Sequence, residues 1–293
     1  MRGFSWFAVP FALWSVAAGA QSVPRAVIQD PPRDAAAPAD MASFVIPSGD
    51  GAMNAVFYLA SGTQPHPTLL LLHGFPGNEQ NLDLAQAARR AGWNVLTLHY
   101  RGSWGSSGAF SFANAVEDSR AALAFLRRPE TIAHYRIDPR RIALAGHSMG
   151  GFMAAQAADA DVIGTALIDA WNIGGERAAI ADPAYRQRLI DEELAGDIPP
   201  LAGTSVEAIL AEISASGPEL DLTARLPALA RRPLLIIGAR TGNGAESADY
   251  ARRARDAGGR AVASEIMDTD HSFSDHRIAL AAALINWLES LPH

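Results

Sequence analysis

The strongest chemical signal in the sequence is a serine in a glycine-rich turn. Residues 146–150 read Gly-His-Ser-Met-Gly, and the apolar run 142–145 leads directly into them. This G-x-S-x-G pattern predicts a strand, a sharp turn and a helix, with Ser148 exposed on the turn. The turn needs glycine at 146 and 150 because neighbouring Cβ atoms would clash. Ser148 is therefore a candidate nucleophile for an ester or amide carbonyl, whereas His147, on the opposite side of the turn, is interpreted as a packing residue.

Attack on a carbonyl creates an oxyanion, which needs two backbone N–H donors. The amide of Met149, the residue after the candidate nucleophile, is one expected donor. A second glycine-rich loop, His73-Gly74-Phe75-Pro76-Gly77, follows the apolar run 69–72. Gly74 would allow close approach, so we expect the amide of Phe75 to be the second donor.

A serine nucleophile also needs a general base, which we expect on a loop after a late strand. Three histidines are candidates: His271, His276 and the terminal His293. His271 lies four residues beyond the last predicted strand, a loop length that would bring it over Ser148. The sequence therefore favours His271.

The elements that must position these residues alternate between strands and helices. A hairpin is predicted from two β-type runs, 43–47 and 53–60, that flank Ser48-Gly49-Asp50-Gly51. Strands buried on both faces are predicted at 68–72, 93–99, 141–145, 162–168, 234–237 and 261–266. Amphipathic helices are predicted at 82–91, 115–126, 151–158, 247–257 and 278–288. This order predicts an α/β fold with a mostly parallel, doubly wound sheet and an antiparallel hairpin at its start.

One interval breaks this alternation. Residues 171–232 contain five prolines and no buried-strand run, and they are too many for a plain connection. We interpret them as a helical cap inserted over the site. Trp104, Trp171 and Phe75 each lie in a loop at the same end of the sheet, so they are expected either to line a substrate pocket or to pack in the core.

The two ends of the chain give different signals. Residues 1–20 combine an early arginine, an apolar run and Ala18-Gly19-Ala20, which predicts a secretory signal peptide and a secreted or periplasmic protein. Residues 21–41 contain four prolines and predict a flexible linker. Residues 42–293 then form a single α/β domain that includes the cap, with no stable membrane insertion after signal cleavage.

Composition excludes several classes of function. The 293 residues carry 24 Lys+Arg and 31 Asp+Glu, a net charge of −7 that argues against nucleic-acid binding. The absence of cysteine excludes disulfides, thiolate metal sites and a cysteine nucleophile. The remaining histidines lack metal-ligand spacing, and residues 242–247 match a dinucleotide fingerprint only in part. We expect neither a metal nor a cofactor, and the sequence leaves the oligomeric state open.

Four motifs in the same order resemble the serine hydrolases of the α/β-hydrolase fold. They are residues 73–77, Tyr100-Arg101-Gly102-Ser103-Trp104-Gly105-Ser106-Ser107-Gly108, residues 146–150 and Asp270-His271. The resemblance covers about residues 43–291. It implies Ser148 as nucleophile, His271 as base and the amides of Phe75 and Met149 as the oxyanion hole.

The resemblance fails at the third catalytic residue. Most of the family has an aspartate in the loop after the strand that here ends near residue 238, but Thr241 stands at that position. Two carboxylates preserve the order of serine, acid and histidine: Asp169, at the end of the preceding strand, and Glu246. The sequence favours Asp169 and leaves open Glu246 or a site without an acid.

These observations predict a serine hydrolase that cleaves a carboxylic ester of a small molecule through an acyl-enzyme. A peptidase or amidase of the same fold is one alternative. A non-catalytic binding scaffold is another, because of Thr241. The fold hosts many chemistries, so the resemblance does not choose the substrate.

Overall fold

The computed structural model describes residues 23–217 and 220–292. Eight strands in this part of the chain form one sheet in the order β1-β2-β4-β3-β5-β6-β7-β8. The strands are β1 (Asp40–Ser48), β2 (Gly51–Leu59), β3 (His66–Leu72), β4 (Asn94–Leu98), β5 (Ile137–His147), β6 (Gly164–Ile168), β7 (Leu234–Ala239) and β8 (Val262–Met267). The predicted signal peptide and His293 lie outside the described residues.

Strand directions follow the prediction from sequence. β1 pairs with β2 and β2 with β4 in antiparallel fashion, and all other pairs are parallel. The hairpin turn is short because Ser48 pairs with Gly51, and Gly49 adopts a left-handed conformation with φ of 52°. The parallel strands bring the loops after β3, β5, β6, β7 and β8 to one edge of the sheet, where catalytic residues of such folds gather.

Twelve α-helices in the described residues accompany the sheet. They are α1 (Arg25–Ile28), α2 (Leu82–Arg90), α3 (Phe112–Leu126), α4 (Pro129–Tyr135), α5 (Met149–Ala157), α6 (Glu176–Ala179), α7 (Pro183–Leu189), α8 (Ala195–Asp197), α9 (Val206–Ala215), α10 (Leu222–Leu229), α11 (Gly244–Asp256) and α12 (Arg277–Glu289). A 3₁₀ turn, Ile173–Gly175, precedes α6, and a π-helical segment, Ile190–Leu194, joins α7 to α8. None of the described helices is long and apolar enough to cross a membrane.

The core has two layers because the central strands are buried on both faces. In β3, Leu70 and Leu72 pack in the layer that contains α3, α5 and α11, whereas Leu69 and Leu71 pack in the layer of α2 and α12. This alternation explains why β3 is a continuous apolar run. The structure is therefore the doubly wound α/β sheet that the sequence predicts.

Several elements differ from their predictions; β5, for example, begins at Ile137 instead of residue 141, and α11 begins at Gly244 instead of residue 247. β8 is the edge strand of the sheet, and most of its side chains are exposed, although the sequence predicts a strand buried on both faces. Helix α3 begins three residues earlier than predicted because the Ser111 side chain caps it by accepting from the Asn114 amide.

The segment between β6 and β7 is helical, as the sequence predicts, and comprises α6 to α10. Its apolar side chains join the core layer of α5, and Leu194, Ile209 and Leu222 are fully buried. This packing holds the segment above the carboxyl edge of the sheet.

The described part of the predicted linker makes specific contacts with the domain. Helix α1 lies within it, and the Arg90 guanidinium donates to the carbonyl oxygens of Ala26 at 2.5 Å and Val27 at 3.3 Å. β1 begins at Asp40, two residues before the predicted domain start. Proline content thus did not reveal the ordered contacts of residues 23–41.

Candidate active site

Ser148 lies on a strained turn between β5 and α5. Its backbone has φ of 55° and ψ of −123°, a combination that costs a side-chain-bearing residue about 1–3 kcal/mol. A Cβ atom on Gly146 would lie 2.0 Å from the Gly150 carbonyl oxygen, and one on Gly150 would lie 2.0 Å from the Leu72 carbonyl oxygen. Both glycines are therefore required, as the sequence predicts, but the contact that requires Gly150 is with the end of β3 and not with a neighbour in the turn.

His271 lies in the loop after β8 and shares a cavity with Ser148. Its Nδ1 atom is 2.5 Å from Oδ2 of Asp169, and its side chain is 41% exposed. The imidazole is thus anchored on its Nδ1 side and accessible to the cavity. The other described candidate, His276, pairs instead with Asp275 just before α12 and does not line this cavity.

Asp169 is completely buried at the end of β6. Its Oδ1 atom accepts from the Ala239 amide at 2.7 Å, and its Oδ2 atom accepts from the Asn243 amide at 3.0 Å as well as facing His271. The Asn243 side chain donates to the Asp169 carbonyl oxygen at 3.0 Å. These donors stabilise a carboxylate that would otherwise be costly to bury.

Glu246, the alternative acid, lies elsewhere. It is exposed on α11 and borders a second cavity with Trp171, Asp249 and Tyr250, without Ser148 or His271. The carboxylate that meets His271 is therefore that of Asp169.

The loop after β7 holds the Asp169 carboxylate rather than supplying one of its own. The Thr241 hydroxyl and amide both donate to the Thr269 carbonyl oxygen, at 3.0 and 3.2 Å, which ties this loop to the loop of His271. A Cβ atom on Gly242 would lie 2.3 Å from Oδ2 of Asp169. The roles of Gly242 and Asn243 were missed from the sequence, although the run Gly-Asn-Gly was the available signal.

The two expected oxyanion donors are free to bind. Among the described residues, the amides of Phe75 and Met149 have no hydrogen-bond acceptor. The loop after β3 packs tightly on the turn, since a Cβ atom on Gly74 would lie 3.1 Å from the Ser148 Cβ atom. Both amides therefore belong to backbone that meets at Ser148.

His73 orients the peptide that carries the Phe75 amide. Burial lowers the pKa of His73 to about 3, so the imidazole is neutral, and its Nδ1–H donates to the Gly74 carbonyl oxygen at 2.7 Å. In a trans peptide the N–H points opposite to the C=O. Holding the Gly74 carbonyl thus turns the Phe75 N–H away from His73, a role that the sequence motif did not reveal.

The cavity beside Ser148 has a volume of about 380 Å³. Its other walls come from the loops after β3, β6, β7 and β8 and from the helical segment, with Phe75, Trp171, Glu176, Tyr185, Leu189, Glu193, Leu194, Asp197, Thr241, Gly242, Asn243 and His271. Trp171 lines this cavity, one of the two locations that the sequence allows. Trp104 does not, because its indole N–H donates to the Pro76 carbonyl oxygen at 3.1 Å and its ring packs near His99, outside the cavity.

The cavity carries acidic side chains. Glu176 accepts from the Trp171 indole at 3.1 Å and from the Tyr185 hydroxyl, whose pKa is raised by burial and by Glu176. Burial and the nearby Glu193 carboxylate raise the pKa of Asp197 to about 6. No arginine is among the described residues that line the cavity, and the sequence contains no lysine.

The described residues contain no group of three or more His, Cys, Asp or Glu side chains that could hold a metal ion.

Several solved structures have a fold similar to that of this chain. An esterase from Pyrobaculum calidifontis superposes with a TM-score of 0.62 at 20% identity, covering 86% of this chain and 85% of that one. EstE1, a carboxylesterase cloned from a metagenomic library, gives 0.56 at 21% identity, with 90% and 92% covered. The Pyrococcus horikoshii acylaminoacyl peptidase gives 0.61 at 16% identity, but only 41% of that chain is covered, against 86% of this one. At these identities the likeness concerns the fold.

A search among curated proteins by sequence found no match. The model of the alpha/beta hydrolase family, in contrast, matches residues 69–283, well over half of the sequence. With the sheet order and the helical layers described above, this match identifies the chain as a member of the α/β-hydrolase family.

Proposed function

We propose that this protein is a serine hydrolase that cleaves a carboxylic ester through an acyl-enzyme intermediate. The observation that carries the proposal is the 2.5 Å contact between His271 Nδ1 and the buried Asp169 carboxylate, beside a cavity that Ser148 also lines. An orienting acid, a base and a nucleophile on a strained turn form the arrangement that activates a serine.

The reaction proceeds in two halves. Ser148 Oγ forms a bond to the substrate carbonyl carbon while its proton passes to His271 Nε2, and the amides of Phe75 and Met149 stabilise the oxyanion. The C–O bond to the alcohol then breaks, and the alcohol leaves with the proton from His271. Water repeats the sequence on the acyl-enzyme, with His271 as base again, and releases the acid and free Ser148.

Asp169 acts through His271. A carboxylate that accepts from Nδ1–H fixes the tautomer whose Nε2 is free to take a proton, and it stabilises the imidazolium that forms. The buried contact argues against the scaffold alternative, because Thr241 does not leave His271 without an acid.

The charge of the cavity bears on the substrate. Glu176, Glu193 and Asp197 line it without an arginine among the described lining residues. An anionic acyl group would meet repulsion in this partly desolvated space, so we expect neutral or cationic acyl groups to be preferred.

The peptidase alternative has support from the comparisons, because peptidases, among them the acylaminoacyl peptidase of Pyrococcus horikoshii, have a similar fold. Its chain is more than twice as long as the part covered by this one. We therefore place ester cleavage first and amide cleavage second.

A substrate panel tests the proposal. Purified protein is assayed with short- and long-chain esters and with matched amides, with Ser148→Ala as the inactive control. We expect ester turnover that Ser148→Ala abolishes. Turnover that persists in Ser148→Ala would refute the assigned nucleophile, and preferential turnover of amides would support the peptidase alternative.

We also propose that the protein is exported to the periplasm or the medium, because residues 1–20 have the pattern of a secretory signal peptide. Expression of the full chain followed by N-terminal sequencing of the exported protein tests it. A mature protein that begins near Gln21 would support export, whereas an intact N-terminus in the cytoplasm would contradict it.

A further inference from the structure

We propose that His147 is a positioning residue that holds the base His271 in place relative to the nucleophile Ser148. The inference rests on the proposed function, because it concerns how the serine and the histidine of that site are kept together. It assigns a role to a side chain that the sequence alone marks only as packing.

The contact that carries the inference is a hydrogen bond from a side chain to the backbone. His147 Nε2 lies 2.7 Å from the carbonyl oxygen of His271. A carbonyl oxygen can only accept, so Nε2 carries the proton and donates it. The two imidazole rings also lie side by side, with centroids 4.6 Å apart.

His147 is suited to this role because it is buried and neutral. Its exposed fraction is 5%, and burial together with the neighbouring His271 lowers the pKa of His147 to about 4. Asp169 opposes this shift and Arg277 adds to it. At neutral pH the ring is therefore uncharged, and the hydrogen bond selects one tautomer.

The position of His147 in the chain makes the hydrogen bond a link between the two proposed catalytic residues. His147 is the last residue of β5 and is bonded covalently to Ser148, whereas His271 lies 124 residues further along the chain, after β8. Strands β6 and β7 separate these two strands in the sheet. The hydrogen bond therefore joins the end of β5 directly to the loop after β8, although these two strands are not neighbours in the sheet.

His271 is thus held at two independent points. Asp169 binds its ring at Nδ1, and His147 binds its backbone carbonyl. The contact at Nδ1 sets the orientation of the ring relative to Asp169, and the contact at the carbonyl sets the position of the backbone from which the ring extends. Together the two contacts restrict where Nε2 lies relative to Ser148.

Removing the second anchor should misplace the base without unfolding the loop. The loop has other ties, from Thr241 to the Thr269 carbonyl and from Arg277 to the Ser272 carbonyl. A loss of positioning should therefore appear in kcat, with little change in KM.

The test compares His147→Met with His147→Gln, two side chains of similar length of which only Gln has an N–H donor. We expect His147→Met to lower kcat ~10-fold or more, because displacements of catalytic groups cost up to ~10²-fold, and to slow fluorophosphonate labelling of Ser148 in proportion. We expect His147→Gln to retain most of kcat, and KM to stay within about 2-fold in both variants, since no substrate contact is removed.

A buried histidine away from the site provides the control. Both ring nitrogens of His66, at the start of β3, also face backbone carbonyl oxygens: Nδ1 lies 3.1 Å from that of Gly92 and Nε2 3.3 Å from that of Gly62. His66→Met should lower the melting temperature but leave kcat unchanged.

Three outcomes would overturn the inference: a kcat in His147→Met within about 2-fold of the native value, equal losses in the Met and Gln variants, or equal losses in His66→Met. A native protein that neither reacts with fluorophosphonate nor hydrolyses any ester would instead refute the proposed function itself, and the inference with it. The native protein is therefore assayed first.

Discussion

The cavity beside Ser148 has two walls that are built differently. The floor comprises Ser148, His271 and the loop 241–243, at the carboxyl ends of the strands, and the buried Asp169 supports it by its contact with His271. The roof comprises Glu176, Tyr185, Glu193 and Asp197, on the helical segment between β6 and β7. Backbone amides and close glycine contacts fix the floor, whereas the carboxylate interactions of the roof are between side chains.

This difference indicates a division of roles. Asp169 is fully buried and accepts backbone hydrogen bonds, so its carboxylate is committed to His271. Asp197 instead lies beside another carboxylate, Glu193, and burial together with that neighbouring charge raises its pKa. We therefore expect changes in the floor to alter kcat strongly and changes in the roof to alter KM modestly.

The largest effect is expected for Asp169→Asn. The amide preserves the size of the side chain but removes the charge and disturbs the tautomer of His271, so kcat should fall by ~10³–10⁴-fold. Steady-state kinetics on the preferred ester measure the loss, with circular dichroism to verify folding.

The matched control for this change is Glu246→Gln, in the exposed carboxylate on α11. Its kcat should be unchanged. A large loss in Glu246→Gln with a small one in Asp169→Asn would reverse the assignment, and small losses in both would indicate a site that works without an acid.

A smaller but still substantial effect is expected for Gly242→Ala. The added methyl group would lie 2.3 Å from Oδ2 of Asp169, so the carboxylate or the loop must shift. A displacement of about 1 Å in such a group can cost ~10²-fold in kcat.

Gly196→Ala is the control in the roof, because no atom lies within 4 Å of its added methyl group. Steady-state kinetics of Gly242→Ala and Gly196→Ala measure whether kcat falls in the first variant and stays constant in the second. An unchanged kcat in Gly242→Ala would mean that the loop after β7 does not constrain Asp169.

Changes in the roof should act on substrate charge. Glu176→Gln removes a carboxylate held by Trp171 and Tyr185. We expect KM for an ester with a cationic acyl group to rise ~5-fold, the equivalent of a partly exposed ion pair of about 1 kcal/mol, while KM for a neutral ester of the same size stays constant.

Glu192→Gln, an exposed neighbour in the π-helical segment that does not line the cavity, serves as the control. Equal changes in KM for the cationic and neutral esters would show that Glu176 affects the shape of the cavity but does not discriminate between substrates by charge.

The smallest expected effect is a pH dependence from Asp197. Its pKa of about 6 means that the carboxyl is neutral below this pH and negative above it. KM for an ester with a quaternary ammonium group, whose own charge does not titrate, should fall ~2–3-fold as pH rises from 5 to 7. Asp197→Asn should flatten this profile, and a profile that persists in the variant would assign the dependence to another group.

The sequence predicted the floor better than the roof, for physical reasons. Strands buried on both faces are continuous apolar runs, so most strands fall near their predicted positions. Gly146 is required by its contact with the Gly150 carbonyl oxygen within one short turn, which a local motif can report, whereas Gly150 is required by the Leu72 carbonyl oxygen at the end of β3.

The acid at His271 could not be decided in this way. Asp169 and Glu246 both satisfy the chain order, and the difference between them depends on where the loop after β7 directs its amides. The positions of the two tryptophans could not be predicted either, because they depend on the path of each loop. Trp171 lines the cavity, whereas Trp104 lies outside it. The cap sequence likewise gives no pattern that reveals which of its carboxylates face the cavity.

Covalent labelling is the simplest test of whether Ser148 is an activated nucleophile. The native protein is incubated with a fluorophosphonate, and the site of modification is found by peptide mass spectrometry. We expect a single adduct on Ser148 that is absent in Ser148→Ala and forms much more slowly in Asp169→Asn. A folded native protein that forms no adduct, or one modified equally in Ser148→Ala, would contradict this expectation.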